Sequence, residues 1–406
     1  MDLKGKINLY EPPLQRAYER HGGTSRLSWR ARSRYCDALA AFATIILWQL
    51  AMLHAQTTQG QQDNAPRTGK ELYQAACSAC HGPDGKGTPQ TQVGFDTPLP
   101  DFTDCQFASR EPDPDWVTVV HQGGPVRGFS ELMPAFGEAL TVEEIQSIVS
   151  LVRGFCRETA WPRGELNLPR PLITEKAFPE DEAVLTTTVA TEGPATVIND
   201  LLYERRFGAR NQIEVKLPVG VLSLPNGGSR GGVGDITLGY KRALFHSLDS
   251  GSIFSAGGEA TLPTGNKDYG LGKGFTTVEA FAAFGQILPS DGFLHFQGGI
   301  EAPTDSSRAA KETFWRTVAG RTFAQEHGFG RSWSPMLEVL GSHEHESDGQ
   351  TQWDLVPQIQ VSLNSRQHIL FSVGVRIPMT HASQRSTQVM FYLLWDWFDG
   401  GFRDGW

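Results

Sequence analysis

From about Glu182 onward the sequence is written in two-residue repeats, and this constrains the fold more than any other feature. Ile213, Val215, Leu217, Val219 and Val221 alternate with Glu214, Lys216, Pro218 and Gly220. Phe254 to Leu262, Trp353 to Leu363 and Phe371 to Ile377 repeat the pattern. Successive side chains of a strand point to opposite faces, so each stretch reads as a strand with one apolar and one polar face. Roughly twelve segments of about ten residues, separated by turns, form the signature of a transmembrane barrel. A soluble β-sandwich also alternates, but charged residues kept on one face favour a wet lumen. The expected lumen-facing residues are Glu214, Lys216, Asp235, Lys241, Glu259, Glu279, His295, Glu301, Asp354 and Arg376.

Turn lengths give an independent check, because such barrels have short periplasmic turns and longer outside loops. Ser223–Gly232, Pro263–Gly274, Pro303–Lys311, Glu344–Gln350 and Thr380–Ser386 are expected outside. The expected inside turns are Phe207–Asn211, Leu248–Gly251, Pro289–Gly292, Phe323–Ser332 and Asn364–Gln367, of which only Phe323–Ser332 is long. The last segment, Val389 to Phe398, is aromatic, and the chain ends at Trp406.

Cys77-Ser78-Ala79-Cys80-His81 is a C-x-x-C-H motif, which reads as covalent attachment of c-type haem. The two thiols would close on the haem vinyl groups, and the imidazole beside them would reach the iron. A redox dithiol would call for a βαβ pattern, and a zinc ribbon for a second cysteine pair; the sequence offers neither. Thr141-Val142-Glu143-Glu144 is a capping box opening a helix with one apolar stripe, Ile145, Ile148, Val149, Val152 and Phe155.

With these motifs, residues 66–158 resemble a class I monohaem cytochrome c. The resemblance makes Cys77 and Cys80 the covalent anchors of a single haem c, His81 the proximal ligand and Met133, in Met-Pro-Ala-Phe-Gly, the distal ligand. His121 is the competing ligand. At Leu151 the chain departs from the family, which often has an aromatic there packed on the first helix. The C-terminal region, through Gly234-Asp235-Ile236-Thr237-Leu238-Gly239-Tyr240-Lys241 and Leu262-Pro263-Thr264-Gly265, resembles outer-membrane barrels associated with transport in aromatic-compound degradation. In domain order, the chain is similar to the fused cytochrome–porins of iron-oxidising bacteria.

The expected organisation is mixed: a small all-α haem domain followed by an all-β antiparallel barrel of about twelve strands. Residues 1–55 read as a signal peptide with a long n-region, the alternative being a retained anchor. Residues 56–65 read as a linker, 66–158 as the haem domain, 159–182 as a Pro-rich linker along a surface, and 183–406 as the barrel. Of five cysteines, Cys36 falls in the export segment; Cys105 and Cys156 are a candidate disulfide if the domain is exported, or else two buried thiols. A net charge of −9 suggests no nucleic-acid partner. His343-Glu344-His345-Glu346, on an outside loop, is either a metal-ion site or a solvated stretch.

These features imply electron transfer at the outer membrane by a carrier rather than an enzyme. The expected partners are periplasmic electron carriers, an extracellular donor or acceptor, and outer-membrane lipid. The alternative is a transport barrel with a periplasmic redox domain acting on its solute.

Overall fold

The computed structural model describes residues 67–95, 98–192, 196–223, 228–326 and 329–396. The expected export segment 1–55 with Cys36, the linker 56–65, and Trp397, Phe398 and Trp406 lie outside the described residues.

The repeats form twelve strands: β1 (Glu182–Ala190), β2 (Thr196–Phe207), β3 (Asn211–Ser223), β4 (Ile236–Ser247), β5 (Ser252–Leu262), β6 (Thr277–Leu288), β7 (Gly292–Pro303), β8 (Glu312–Arg321), β9 (Phe329–Glu344), β10 (Thr351–Ser362), β11 (Ile369–Pro378) and β12 (Gln388–Asp396). Each pairs antiparallel with the next, and β1 pairs with β12, Glu182 opposite Asp396, closing the ring. Closure leaves no edge strand to satisfy, the condition for crossing lipid with strands. The long inside turn expected at Phe323–Ser332 is mostly ladder: Phe323–Glu326 pairs with the start of β9, and Phe323 stacks on Trp333 at 4.5 Å.

The side chains divide by face. On β9, Ser334, Met336, Glu338 and Leu340 are buried inside, whereas Trp333, Leu337 and Val339 are exposed outside. Leu201, Val215, Ile300 and Leu393 extend the outward apolar belt around the ring. In water each such side chain forgoes about 1.5–3 kcal/mol of burial, which lipid contact recovers.

The segment between the domains departs from expectation. Instead of running along a surface, residues 166–181 fold into the lumen and return by the same mouth to β1. Leu166, Leu168, Leu172 and Phe178 are buried there against inward residues of many strands. Its turn reaches the middle of the barrel, where the Thr174 and Glu175 amides meet Glu338 of β9 and Gln297 of β7. The inner half of the lumen is therefore a packed core rather than the expected wet channel.

The helices preceding the barrel are α1 (Gly69–Ala76), α2 (Ser78–His81), α3 (Gln90–Val93), α4 (Cys105–Ala108), α5 (Asp113–Gln122) and α6 (Val142–Arg153). Capping boxes open α1 and α6, from Thr68 with Glu71 and from Thr141 with Glu144. The two helices cross at Gly69, where a Cβ would fall 2.2 Å from the Ser147 carbonyl oxygen. Leu72, Tyr73, Ile148 and Val152 form the core around this crossing, and Phe155 packs on Tyr73 at 5.5 Å. The aromatic missing at Leu151 is thus not needed for the contact.

Candidate haem site and its seat on the barrel

Cys77, Cys80 and His81 occupy one turn at the end of α1 and along α2. The backbone after them is pinned by Tyr73, whose buried hydroxyl donates to the Gly82 carbonyl at 2.7 Å. Phe102 stacks on the His81 ring at 4.9 Å, and Trp116 of α5 packs edge-on against Phe102 at 5.6 Å. Burial, with Cys80 alongside, pushes the Cys77 thiol up to about 11. Burial also lowers His81, which favours the neutral imidazole a metal requires.

Met133 lies on the loop after the short turn Gly124–Arg127. Its carbonyl accepts from the Gly124 amide at 3.0 Å and its amide donates to Ser130 at 3.1 Å. The loop then runs along the end of α5, with the Phe136 and Gly137 amides donating to the Val120 and His121 carbonyls. The His121 ring lies against this loop, where a Cβ at Gly137 would fall 2.6 Å from its Nε2.

The residues present fit a covalently bound haem. Cys77 and Cys80 are both free thiols, whereas Cys105 and Cys156 form a disulfide. The Nδ1 atom of His81 is buried without a partner. Phe129 and Leu132, just before Met133 on the same loop, are large apolar side chains left 41% and 51% exposed, as expected of walls that a porphyrin would cover.

The domain is seated on the barrel mouth that carries the short turns. Arg127, buried to 2% exposure, donates to the Arg366 carbonyl at 2.9 Å and meets His368 Nε2 at 3.0 Å. Its guanidinium is also 3.0 Å from Glu111 and 3.6 Å from Asp115. His368 in turn lies 3.4 Å from Glu111 and from Asp396 at the end of β12. Gly128, at φ +72°, takes a backbone form that favours glycine and brings the chain against Arg366, whose Nη2 lies 1.8 Å from where a Cβ would stand. On another side of the mouth the Ala160 carbonyl accepts from Arg210 at 3.0 Å, and the Arg206 guanidinium covers the Trp161 ring at 4.9 Å.

Inside, the plug is held by charge. Arg170 pairs with Glu182 and with Glu204, the latter at 2.6 Å. Lys241 reaches Glu175 at 2.5 Å and the Lys176 carbonyl at 2.7 Å. Glu175, Glu204 and Glu214 offer oxygens within 4.8 Å of one another, a spacing a metal ion accepts, but Arg170 and Lys241 already serve the first two. Glu214, Lys241, His295 and Asp354 are buried inside as expected, and Lys216 faces Glu259 at 3.6 Å. Nothing in the sequence singled out Arg127, Arg170, Glu338 or His368. The one signal was the apolar alternation Leu166, Leu168 with Leu172 inside a proline-rich stretch.

Residues 181–383, half of the chain, match the family described as "Putative MetA-pathway of phenol degradation". The chain belongs to this family. Residues 64–152 match the model described as "Cytochrome C oxidase, cbb3-type, subunit III", a cytochrome c-type domain that implies a haem cofactor. No curated protein matches the chain. Among solved structures, the barrel is similar to an outer membrane channel from Pseudomonas putida F1, at 16% identity over 56% of this chain and 100% of that one, TM-score 0.42. It is also similar to the NanC porin, at 6% identity over 53% and 98%, TM-score 0.37. LpxR from Salmonella typhimurium is 7% identical over 53% and 100%, TM-score 0.35.

Proposed function

We propose that this family member is an electron carrier of the bacterial outer membrane: a His/Met-ligated monohaem cytochrome c held on the inner mouth of a barrel that its own linker closes. The observation that carries the reading is the plug joined to the seated domain. Residues 166–181 fill the inner half of the lumen, and Arg127 ties the domain across the mouth, which suits an anchored carrier better than an open pore. The mouth with short turns and both barrel ends is the periplasmic one by the ordinary rule for such barrels, so the haem domain faces the periplasm.

Cys77 and Cys80 would form the thioethers, and His81 and Met133 would be the axial ligands. When bound, the haem would supply a one-electron iron couple whose potential the thioether ligand raises. The protein's own part is to hold His81 neutral by burial, to brace it with Phe102 and the Tyr73 hydroxyl, and to keep the domain at the mouth. The apolar band of such a barrel is about 25 Å tall, so the partners are periplasmic electron carriers rather than a donor beyond the membrane.

Three measurements test this. The purified protein should show a six-coordinate low-spin spectrum with a thioether-to-iron band that Met133→Ala removes. Denaturation should leave the haem covalently attached unless Cys77 and Cys80 are replaced. In intact cells a bulky impermeant reductant added outside should leave the haem oxidised until the cells are lysed; immediate reduction would overturn the placement. A second reading, a transport barrel whose plug moves, is favoured by the outer half of the lumen. A cavity of about 290 Å³ lies there, lined by Lys273, Glu301, Glu312 and Glu344 among others. Large steady conductance of the unmodified protein in planar bilayers would favour it over the carrier.

A further inference from the structure

On the outward face at the outer end of β9, above the apolar belt, two imidazoles stand side by side. His343 and His345 are two residues apart and so on one face, and their ring centres are 5.2 Å apart with planes at 86°. Below them, Trp315 and Trp353 meet over Gly341 at 5.3 Å, as in an interfacial aromatic girdle. Gly341 is what admits this pair: a Cβ there would fall 2.2 Å from the Trp315 indole nitrogen.

Each imidazole has one nitrogen engaged by a hydroxyl from a flanking strand. His343 Nδ1 lies 3.0 Å from Thr351 Oγ1, and His345 Nε2 lies 2.7 Å from Thr313 Oγ1. His343 Nε2 and His345 Nδ1 are thereby left for a ligand, one ring half-buried and the other exposed. A hydrogen bond to one ring nitrogen is how metal-binding histidines are oriented and kept in the right tautomer. The ring spacing fits as well. Two nitrogens on a tetrahedral ion at about 2.05 Å, with each ring centre roughly 1.1 Å further out, put the ring centres about 5 Å apart.

We propose that His343 and His345 form a binding site for one transition-metal dication at the outer rim of the barrel, with Thr313 and Thr351 as positioning residues. Imidazole selects zinc, nickel or copper over magnesium and calcium. The remaining coordination positions belong to water or to an oxygen donor from outside. The site stands at the opposite end of the barrel from the haem domain and is independent of the haem's role.

The test is calorimetric titration of Zn²⁺, with no other ligand, into the full haem-loaded chain in detergent, alongside His343→Ala, His345→Ala and the double variant. One equivalent should bind to the unmodified chain, each single variant should weaken it at least tenfold, and the double variant should lose that equivalent. Thr313→Val should weaken it less than either histidine change. Neither histidine lies in the packed lumen, so the variants should retain the heat-resistant electrophoretic mobility of a closed barrel, which confirms folding. Undiminished uptake by the folded double variant, or no uptake by the unmodified chain, would overturn the proposal.

Discussion

Replacing Glu338 with alanine should unlock the plug. This carboxylate, with no exposure at all, accepts from three successive backbone amides, Leu172 at 2.8 Å, Ile173 at 3.2 Å and Thr174 at 3.0 Å. It also accepts from the Thr174 hydroxyl at 2.8 Å and from the Gln358 side-chain amide. A hydrogen bond to a charged group contributes about 1.5–3 kcal/mol, so four bonds to the plug would sum to roughly 6–12 kcal/mol if independent. They share one carboxylate, and water entering from the outer half would replace part of what is lost. Each buried donor left unsatisfied costs about 1–3 kcal/mol, and with partial rehydration we take about 4 kcal/mol for the set. That corresponds to roughly a thousandfold shift toward the unseated state. Hydrogen exchange should show protection of the Leu172, Ile173 and Thr174 amides falling by that factor, with barrel amides unchanged. Single-channel recording should show open events rising in parallel. Glu338→Gln keeps one acceptor oxygen and should fall between. Protection within threefold of the unmodified protein would refute the claim that this carboxylate holds the plug.

Removing the disulfide with Cys105→Ser and Cys156→Ser releases a loop of 51 residues and should cost the haem domain about 4 kcal/mol, read from the denaturant midpoint of haem absorbance. Gly69→Leu forces a side chain into the Ser147 backbone at the α1–α6 crossing and should destabilise that domain by about 1–3 kcal/mol; an unchanged midpoint would show that the helices do not meet there. The seat of the haem domain should withstand mild acid. Burial alone would raise Glu111, but Arg127 and His368 outweigh it and hold the carboxyl well below the usual range. Its stabilisation is therefore present above the ordinary carboxylate range and lost only as pH falls through the lowered value. Arg127→Ala removes the main lowering charge, so protease cleavage between Cys156 and Gly164, low at pH 5 to 8 in the unmodified protein, should begin at a higher pH in the variant.

The barrel was legible because its signal is geometric. Any strand between lipid and lumen must alternate, so the positions of Glu214, Lys241 and Asp354 followed from parity alone. The Thr141–Glu144 capping box and the α6 stripe likewise made that haem-domain helix readable. The plug was not, because Pro169, Pro171 and Pro179 remove donors and erase strand or helix periodicity. Its partners on the barrel, Glu338 and Gln297, are single polar positions of strands, and no local pattern ties them to the plug. Arg127 and His368 are 241 residues apart, and no local pattern announces such a pair. The apparent long turn at Phe323–Ser332 misled for the opposite reason: its residues pair as a strand whose two faces do not alternate cleanly.

Because residues 166–181 enter and leave by the same mouth, this segment dips into the ring without passing through it. The plug is a loop of cord whose two ends both hang at the mouth that carries the short turns. One end is tied to the haem domain and the other to the first stave of the barrel. Traction on the haem domain away from the mouth therefore draws the cord directly, like a bath stopper on its chain. Any body that grips the domain and shifts it by a few residues' length of backbone acts on the stopper without touching the lumen.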